Sequence, residues 1–451
     1  MKITFLGAAQ TVTGSKYLLE YNDKKILIDC GLFQGQKEIR NRNWEEFFID
    51  PSKIDALVLT HAHIDHSGYI PLLVKKGFKG KIFCSNATFN LCQILLLDSG
   101  FLQEEDAARA NRHQYSKHQP ALPLYTKDDA EKSLEYFAPI EFDEKHFFSD
   151  DFYFTLNPSG HILGAAFINI FYGKENIVFS GDLGRKSDPI MKAPSILQHA
   201  TYLLIESTYG DRLHDKINPT EVIKKAIVKT AARGGIVVIP AFAVGRAQNI
   251  MFYIHQLKQQ KAIPDIPVFL DSPMAINAAE ILYKYTNEHR LEKELCWQVC
   301  DVARYVRTSD ESKKLNQIKM PIIIISASGM AEGGRVLHHL KNYISDYKNT
   351  ILFTGFQAQG TRGDKIVRGD KEIKIHGNIY DVNAEIINLT SGSAHADYEE
   401  ILDWLSNFKE APKKTFITHG SIESATSLKE KIEKKLGWSV TIPAHLQVEN
   451  L

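Results

Sequence analysis

His61, His63, Asp65 and His66 put three imidazoles and a carboxylate within six consecutive positions. Imidazole nitrogen is a borderline-soft donor and carboxylate oxygen a hard one, a combination that suits zinc better than calcium or magnesium. Along an extended segment His61 and His63 point the same way, while Asp65 and His66 reach a neighbouring point. One segment can therefore feed two adjacent ions. The plain alternative is a solvated histidine-rich turn, which would need no partner donors elsewhere in the chain.

Such a cluster has to be delivered by strand ends. Residues 55–60 form an apolar run of strand length leading into it, and residues 69–74 are helix-like. Upstream, residues 2–6, 16–21 and 24–29 read as three strands opening an antiparallel sheet. The third closes on Asp29, which could accept the second N–H of a ligating imidazole or serve as an ordinary turn residue. Strands follow at 152–156, 166–172 and 176–179, with Ser159-Gly160-His161 between the first two and Ser180-Gly181-Asp182 after the third. Glycine beside each donor leaves room for close approach of backbone and ion. A strand at 201–205 then delivers Glu206-Ser207-Thr208-Tyr209.

Residues 209–385 read as an insertion between a first domain at 1–208 and its continuation at 386–451. Strands at 235–240, 267–271, 321–326 and 350–354 alternate with helices at 219–232, 245–259, 275–288 and 336–344, which implies a parallel sheet covered on both faces. Three glycine-rich loops leave those strands. They carry Arg246, then Ser326, Ser328, Gly329 and Arg335, then Gln357, Gly360 and Thr361 in Gly355-Phe356-Gln357-Ala358-Gln359-Gly360-Thr361. Backbone N–H groups, hydroxyls and an arginine at strand ends suit phosphate oxygens. One such loop can be a mere turn, but three on one sheet edge favour an anion-binding face. Beyond them come a strand at 386–389, Ser391-Gly392-Ser393-Ala394-His395 opening a helix to 405, and a strand at 413–418 ending in His419. Taken alone, His395 is a helix-start residue and His419 a strand-end one.

Composition narrows the partners. Lys+Arg 54 against Asp+Glu 54 leaves no net charge, so nucleic acid would have to be held by a local cleft and bound metal, not by a global field. The five cysteines form neither a disulfide framework nor paired C-x-x-C sites and read as reduced thiols of a cytoplasmic protein. No signal peptide is evident, and no apolar run approaches the ~18 residues of a membrane span.

His-x-His-x-Asp-His after an apolar strand resembles the signature of the metallo-β-lactamase superfamily. With Glu206, the three loops, His395 and His419, nearly the whole chain resembles its β-CASP branch, which contains the nuclease subunit of the pre-mRNA cleavage and polyadenylation complex and its bacterial and archaeal relatives. The resemblance implies an α/β fold, an αββα sandwich with an inserted α/β domain on a mostly parallel sheet. It implies two zinc ions per chain. His61, His63 and His161 would hold one, Asp65, His66 and His419 the other, with Asp182 bridging and Asp29 orienting the ligands.

Phosphodiester hydrolysis also needs a proton for the departing oxygen, and His395, backed by Glu206, is the residue expected to give it. Asp65 and Asp182 could accept the proton of the attacking water. Family members acting on RNA carry histidine at the position of His419, where DNA-repair members typically carry valine. The expectation is a ribonuclease leaving 5′-phosphate and 3′-hydroxyl ends on single-stranded RNA, endonucleolytic with 5′-exonuclease action as a second mode. A homodimer is a family-based expectation. The chain stops soon after His419 and shows no amino-terminal RNA-binding module, which places it near the compact bacterial members. Hydrolysis of a thioester or lactone would leave the insertion and His395 without a task. A non-catalytic RNA-binding subunit would have lost ligands that this chain retains.

Overall fold

The computed structural model describes residues 1–114, 117–355, 357–358, 360–389 and 392–451. Two units divide the chain, one of residues 1–187, 193–213 and 395–451, the other of residues 188–192 and 214–394.

The first unit is built on two seven-stranded sheets. In one, Lys2–Phe5, Tyr17–Tyr21 and Lys24–Ile28 run antiparallel, as the turns between them predict, and Ala56–Val58, Lys81–Ser85 and Phe137–Ile140 continue in parallel. In the other, Phe152–Pro158, Ala166–Tyr172 and Glu175–Phe179 form a meander, followed by the parallel strands Tyr202–Glu206 and Lys414–Thr418. The inward faces pack as one core, in which Phe5 meets Phe416 with ring centroids 5.2 Å apart beside Ile28, Val58, Ile168 and Phe179. Each such side chain contributes about 1.5–3 kcal/mol by leaving water. A second cluster seals the far face of the second sheet with Ile401 and Leu405 of the helix Tyr398–Leu405 and Leu428 and Ile432 of the helix Ile422–Leu436.

Register decides which residues meet at the sheet edges. Ile28 pairs with Val58, so the chain leaves both strands together and Asp29 faces Thr60. Phe179 pairs with Leu204, and Glu206 with Thr418. Asp182, Glu206 and His419 therefore emerge side by side, and the strand beginning at Ala166 brings the His161 loop to the same edge.

The second unit holds a six-stranded sheet in the order Arg304–Tyr305, Val268–Leu270, Ile323–Ser326, Val237–Pro240, Thr350–Phe353, Glu385–Asn388, every pair parallel. Isoleucine and valine runs buried on both sides, such as Ile323–Ile325, explain why no alternation marks these strands. The strand expected to return to the first domain at 386 instead pairs with Thr350–Phe353, so the continuation begins at His395. Its apolar Ile386-Ile387 fits a strand in either unit, and periodicity alone gives no means to choose. A hairpin of Glu372–Ile375 and Asn378–Asp381 has no counterpart in the sequence expectation.

Candidate metal centre

His61 and His63 lie on the extended segment after the strand Ala56–Val58, while Asp65 and His66 sit on the single helical turn Ile64–Ser67. The change from extended to helical backbone splits the cluster into two groups. Donor atoms of His61, His63, His161 and Asp182 all lie within 4.8 Å of one another, and so do those of Asp65, His66 and His419. Glycine makes the first group: a Cβ on Gly184 would fall 2.0 Å from the Gly160 carbonyl oxygen, so only glycine lets the His161 and Asp182 loops close on each other.

In the first group His63 Nδ1 stands 3.1 Å from His61 Nε2 and 3.2 Å from His161 Nε2. Asp182 Oδ2 is 3.4 Å from the Nε2 of both His61 and His161. Its other oxygen, Oδ1, is 3.2 Å from His66 Nε2, which in turn faces His419 Nε2 at 3.0 Å. Asp65 Oδ2 completes the second group 3.4 Å from His419 Nε2. The Asp182 carboxylate thus stands between the groups with one oxygen toward each.

These spacings fit a cation better than a hydrogen-bonded core. Zinc–nitrogen bonds of about 2.0–2.1 Å put tetrahedral ligands about 3.3 Å apart, the separation seen here. Among the described residues the buried Asp182 Oδ1 makes no well-aligned hydrogen bond, its nearest nitrogens being those of His66 at 3.2 Å and His419 at 3.5 Å, a setting that a cation would satisfy. Burial and the neighbouring His66 push His61 down to about 3, and burial likewise drives His161 well below its usual value, leaving both as lone-pair donors. At His66 burial opposes the charge, but Asp182 and Asp29 outweigh it and hold a proton there when no cation is bound. A metal would displace that proton.

Asp29 accepts from the Thr60 backbone N–H at 2.7 Å and hydroxyl at 2.8 Å, and pairs with His66 Nδ1 at 2.7 Å. It orients the His66 ring so that Nε2 faces Asp182. Thr60 was not a site expectation, and its position directly before His61 is the signal that points to it.

His395 precedes a helix whose start is fixed by the Asp397–Glu400 capping box, and the Ala396 N–H bonds to the Leu183 carbonyl at 2.8 Å. That tie sets its imidazole beside Asp182. Nδ1 lies 3.2 Å from each Glu206 oxygen, and Glu206 Oε1 also accepts from the Leu183 N–H at 2.7 Å. Although burial disfavours its charge, Glu206 and Asp182 raise His395 to about 9. Its proton is therefore held at neutral pH. The Tyr209 ring stacks on it at 6.2 Å.

The expected phosphate contacts fare differently. Arg335 donates to Asp271 Oδ1 at 2.7 Å and to the carbonyls of Val306 and Arg307, and the Ser326 hydroxyl donates to the Asp271 carbonyl at 2.9 Å. Buried Asp271 also takes Ser312 at 2.5 Å and His339 at 2.6 Å. Arg335 and Ser326 therefore brace their own loop around a buried carboxylate that would be costly to leave uncompensated. Gln357 Nε2 donates to the Gly329 and Gly355 carbonyls, the Gly360 N–H to Asp364, and Thr361 caps the helix Arg362–Val367, so these too serve local structure. Arg246 opens the helix Arg246–Gln259 with its guanidinium against Gly392, where a Cβ would approach to 2.7 Å, and Ser328 and Gly329 lie just past the strand Ile323–Ser326. Phe356, Gln359 and Ser391 of the quoted motifs lie outside the described residues.

Comparison with known proteins gives this arrangement its context. A metallo-β-lactamase superfamily profile matches residues 11–221, a Beta-Casp domain profile residues 247–366, and a Zn-dependent metallo-hydrolase RNA specificity domain profile residues 379–443. Ribonuclease TTHA0252 of Thermus thermophilus is 33% identical over 95% of this chain and 95% of its own length. Transcription termination factor FttA of Methanosarcina mazei is 31% identical over 97% of this chain and 69% of its own. A crystal structure of a protein of unknown function from Enterococcus faecalis V583 shares the fold at a TM-score of 0.56, with 14% identity over 100% of this chain and 99% of that one. The chain belongs to the β-CASP family of the metallo-β-lactamase superfamily, whose members are metal-dependent hydrolases.

Proposed function

We propose that the protein is a zinc-dependent ribonuclease that hydrolyses single-stranded RNA to 5′-phosphate and 3′-hydroxyl ends, cutting internally, with 5′-exonuclease action as its second mode. The observation that carries this reading is the Asp182 carboxylate standing between two donor groups, beside the His395 imidazole, which belongs to neither and pairs with Glu206. The ribonuclease identified among its relatives supports RNA as the substrate.

His61, His63, His161 and Asp182 would hold one zinc, and Asp65, His66, His419 and Asp182 the second. When bound, the metal pair supplies Lewis acidity toward a phosphoryl oxygen and makes water a nucleophile at neutral pH. The chain supplies the rest. Asp29 fixes the His66 ring, Asp65 and Asp182 are the carboxylates nearest to take up the proton of attacking water, and His395 gives a proton to the departing 3′ oxygen. Glu206 keeps that imidazole charged and oriented. Arg246, Ser328 and Gly329 remain the phosphate contacts favoured in the second unit.

A thioester has no need of such a proton donor, since a thiolate leaves readily, and hydrolysis of a lactone would leave the inserted unit without a task. The non-catalytic reading is disfavoured by the complete donor set. No described helix is long and apolar enough to cross a membrane, and free cysteines fit a cytoplasmic setting. A homodimer is carried as a family-based proposal that light scattering decides.

End-mapping of products from 5′-labelled and internally labelled RNA tests the activity. Phosphorylated 5′ ends with internal cuts support it, whereas 2′,3′-cyclic phosphates would rule out attack by water.

A further inference from the structure

Thr208 lies two residues past Glu206, just beyond the strand Tyr202–Glu206. Its hydroxyl oxygen stands 3.1 Å from His419 Nδ1 and 3.2 Å from the His419 carbonyl oxygen, and its backbone N–H donates to Glu206 Oε2 at 3.3 Å. A hydroxyl has one proton to give. A carbonyl only accepts, so that proton goes to the His419 carbonyl and a hydroxyl lone pair is left facing Nδ1. The remaining neighbour of Nδ1 is Asp182 Oδ1 at 3.5 Å, which is also an acceptor. Both neighbours therefore call for a proton on Nδ1, and the lone pair of His419 falls on Nε2. That nitrogen faces His66 Nε2 at 3.0 Å and Asp65 Oδ2 at 3.4 Å.

The backbone adds a second reason for an external hold. His419 is a non-glycine residue at φ +50°, a left-handed conformation that is strained for a residue with a Cβ. Its N–H bonds to Ala8 at 2.8 Å, its carbonyl receives Ser207 N–H at 3.3 Å, and the Ser207 hydroxyl anchors the preceding Thr418 carbonyl at 2.9 Å. These contacts fix the main chain. Thr208 alone among them also touches the ring.

We propose that Thr208 is a positioning residue that locks His419 in the Nδ1–H tautomer, so that occupancy of the Asp65–His66–His419 group depends on a hydroxyl that is not itself a ligand. Through its N–H the same residue steadies Glu206, so one turn sets both the second donor group and the carboxylate behind His395. The inference rests on the two-zinc reading above.

Two substitutions separate hydroxyl from shape. Thr208→Val keeps the volume and the backbone N–H and deletes the hydroxyl, whereas Thr208→Ser keeps the hydroxyl. Zinc is titrated against a chelator into metal-stripped wild-type and variant chains, and anomalous scattering from zinc-soaked crystals assigns each position. The expected result is roughly a 10- to 100-fold weaker second site in Thr208→Val, the range for loss of a residue that orients a metal ligand, with the His61–His63–His161 site unchanged and Thr208→Ser close to wild type. Equal affinities in wild type and Thr208→Val would overturn the proposal. So would loss at both sites in both variants, which would mark a general packing role. A wild-type chain that binds zinc at neither group would instead overturn the two-zinc reading, and this inference with it.

Discussion

Strand ends in the two units carry the same kind of sequence signal, polar residues beside glycine, yet they spend it differently. At the edge of the first unit, nitrogens of His61, His161, His66 and His419 converge on the Asp182 carboxylate at 3.2–3.5 Å, and among the described residues its Oδ1 makes no well-aligned hydrogen bond. At the edge of the second, Asp271 is surrounded by donors from Arg335, Ser312 and His339, and the cluster closes on itself. The first arrangement is not closed by its own hydrogen bonds and the second is. A polar cluster that its own chain leaves uncompensated is the one built for a ligand.

The largest effect should follow from removing the carboxylate common to both donor groups. Asp182→Asn is expected to lose bound zinc from both positions and RNA cleavage with it, as read by elemental analysis and labelled RNA. Retention of both metals would break the contrast between the units.

Next comes His395→Ala, expected to leave zinc content unchanged while kcat falls by roughly 10²–10⁴, the usual worth of a general acid. Equal loss of zinc would make His395 a ligand instead. Its pH dependence sharpens the point. The donor form is the protonated one, so activity is retained below the raised value of about 9 and lost as pH rises through it. Bound cations can only draw that limb lower. Glu206→Gln removes a carboxylate that raises His395, so the alkaline limb should move down in a pH–kcat profile; an unmoved limb would detach Glu206 from the proton donor.

Spacing grouped His61, His63, Asp65 and His66 in the sequence, whereas His161, Asp182 and His419 were expected with them through the family resemblance, and the structure gathers the donor atoms of all seven into two groups. Sequence alone could not show that Arg335 braces its own loop, because that depends on Asp271, far away in sequence and itself unremarked there. The strand Glu385–Asn388 went to the other unit for a related reason, since its apolar pair fits either sheet. Thr208 stayed hidden because threonine after a strand is commonplace, and only the position of His419 gives it meaning.

A smaller effect tests whether Arg335 serves its own loop or a phosphate. Arg335→Ala should lower thermal stability by breaking a pair of which Asp271 is fully buried, at the lower end of the roughly 3–5 kcal/mol typical of buried pairs because the arginine side chain is 20% exposed. The slope of RNA affinity against salt should stay as in wild type. A slope reduced by about 1 would restore Arg335 as a phosphate contact. Asp271 is buried, which alone would raise its carboxyl, but His339, Ser312 and Arg335 hold it below its usual value. Its share of stability is therefore present above pH ~3.8 and lost as pH falls through the lowered value.

Anomalous diffraction at the zinc edge, on crystals of the zinc-loaded chain, tests the central claim most directly. Two peaks are predicted, one among His61, His63 and His161 and one among Asp65, His66 and His419, with an oxygen of Asp182 against each. A single peak, or a pair that Asp182 does not touch, would contradict the account.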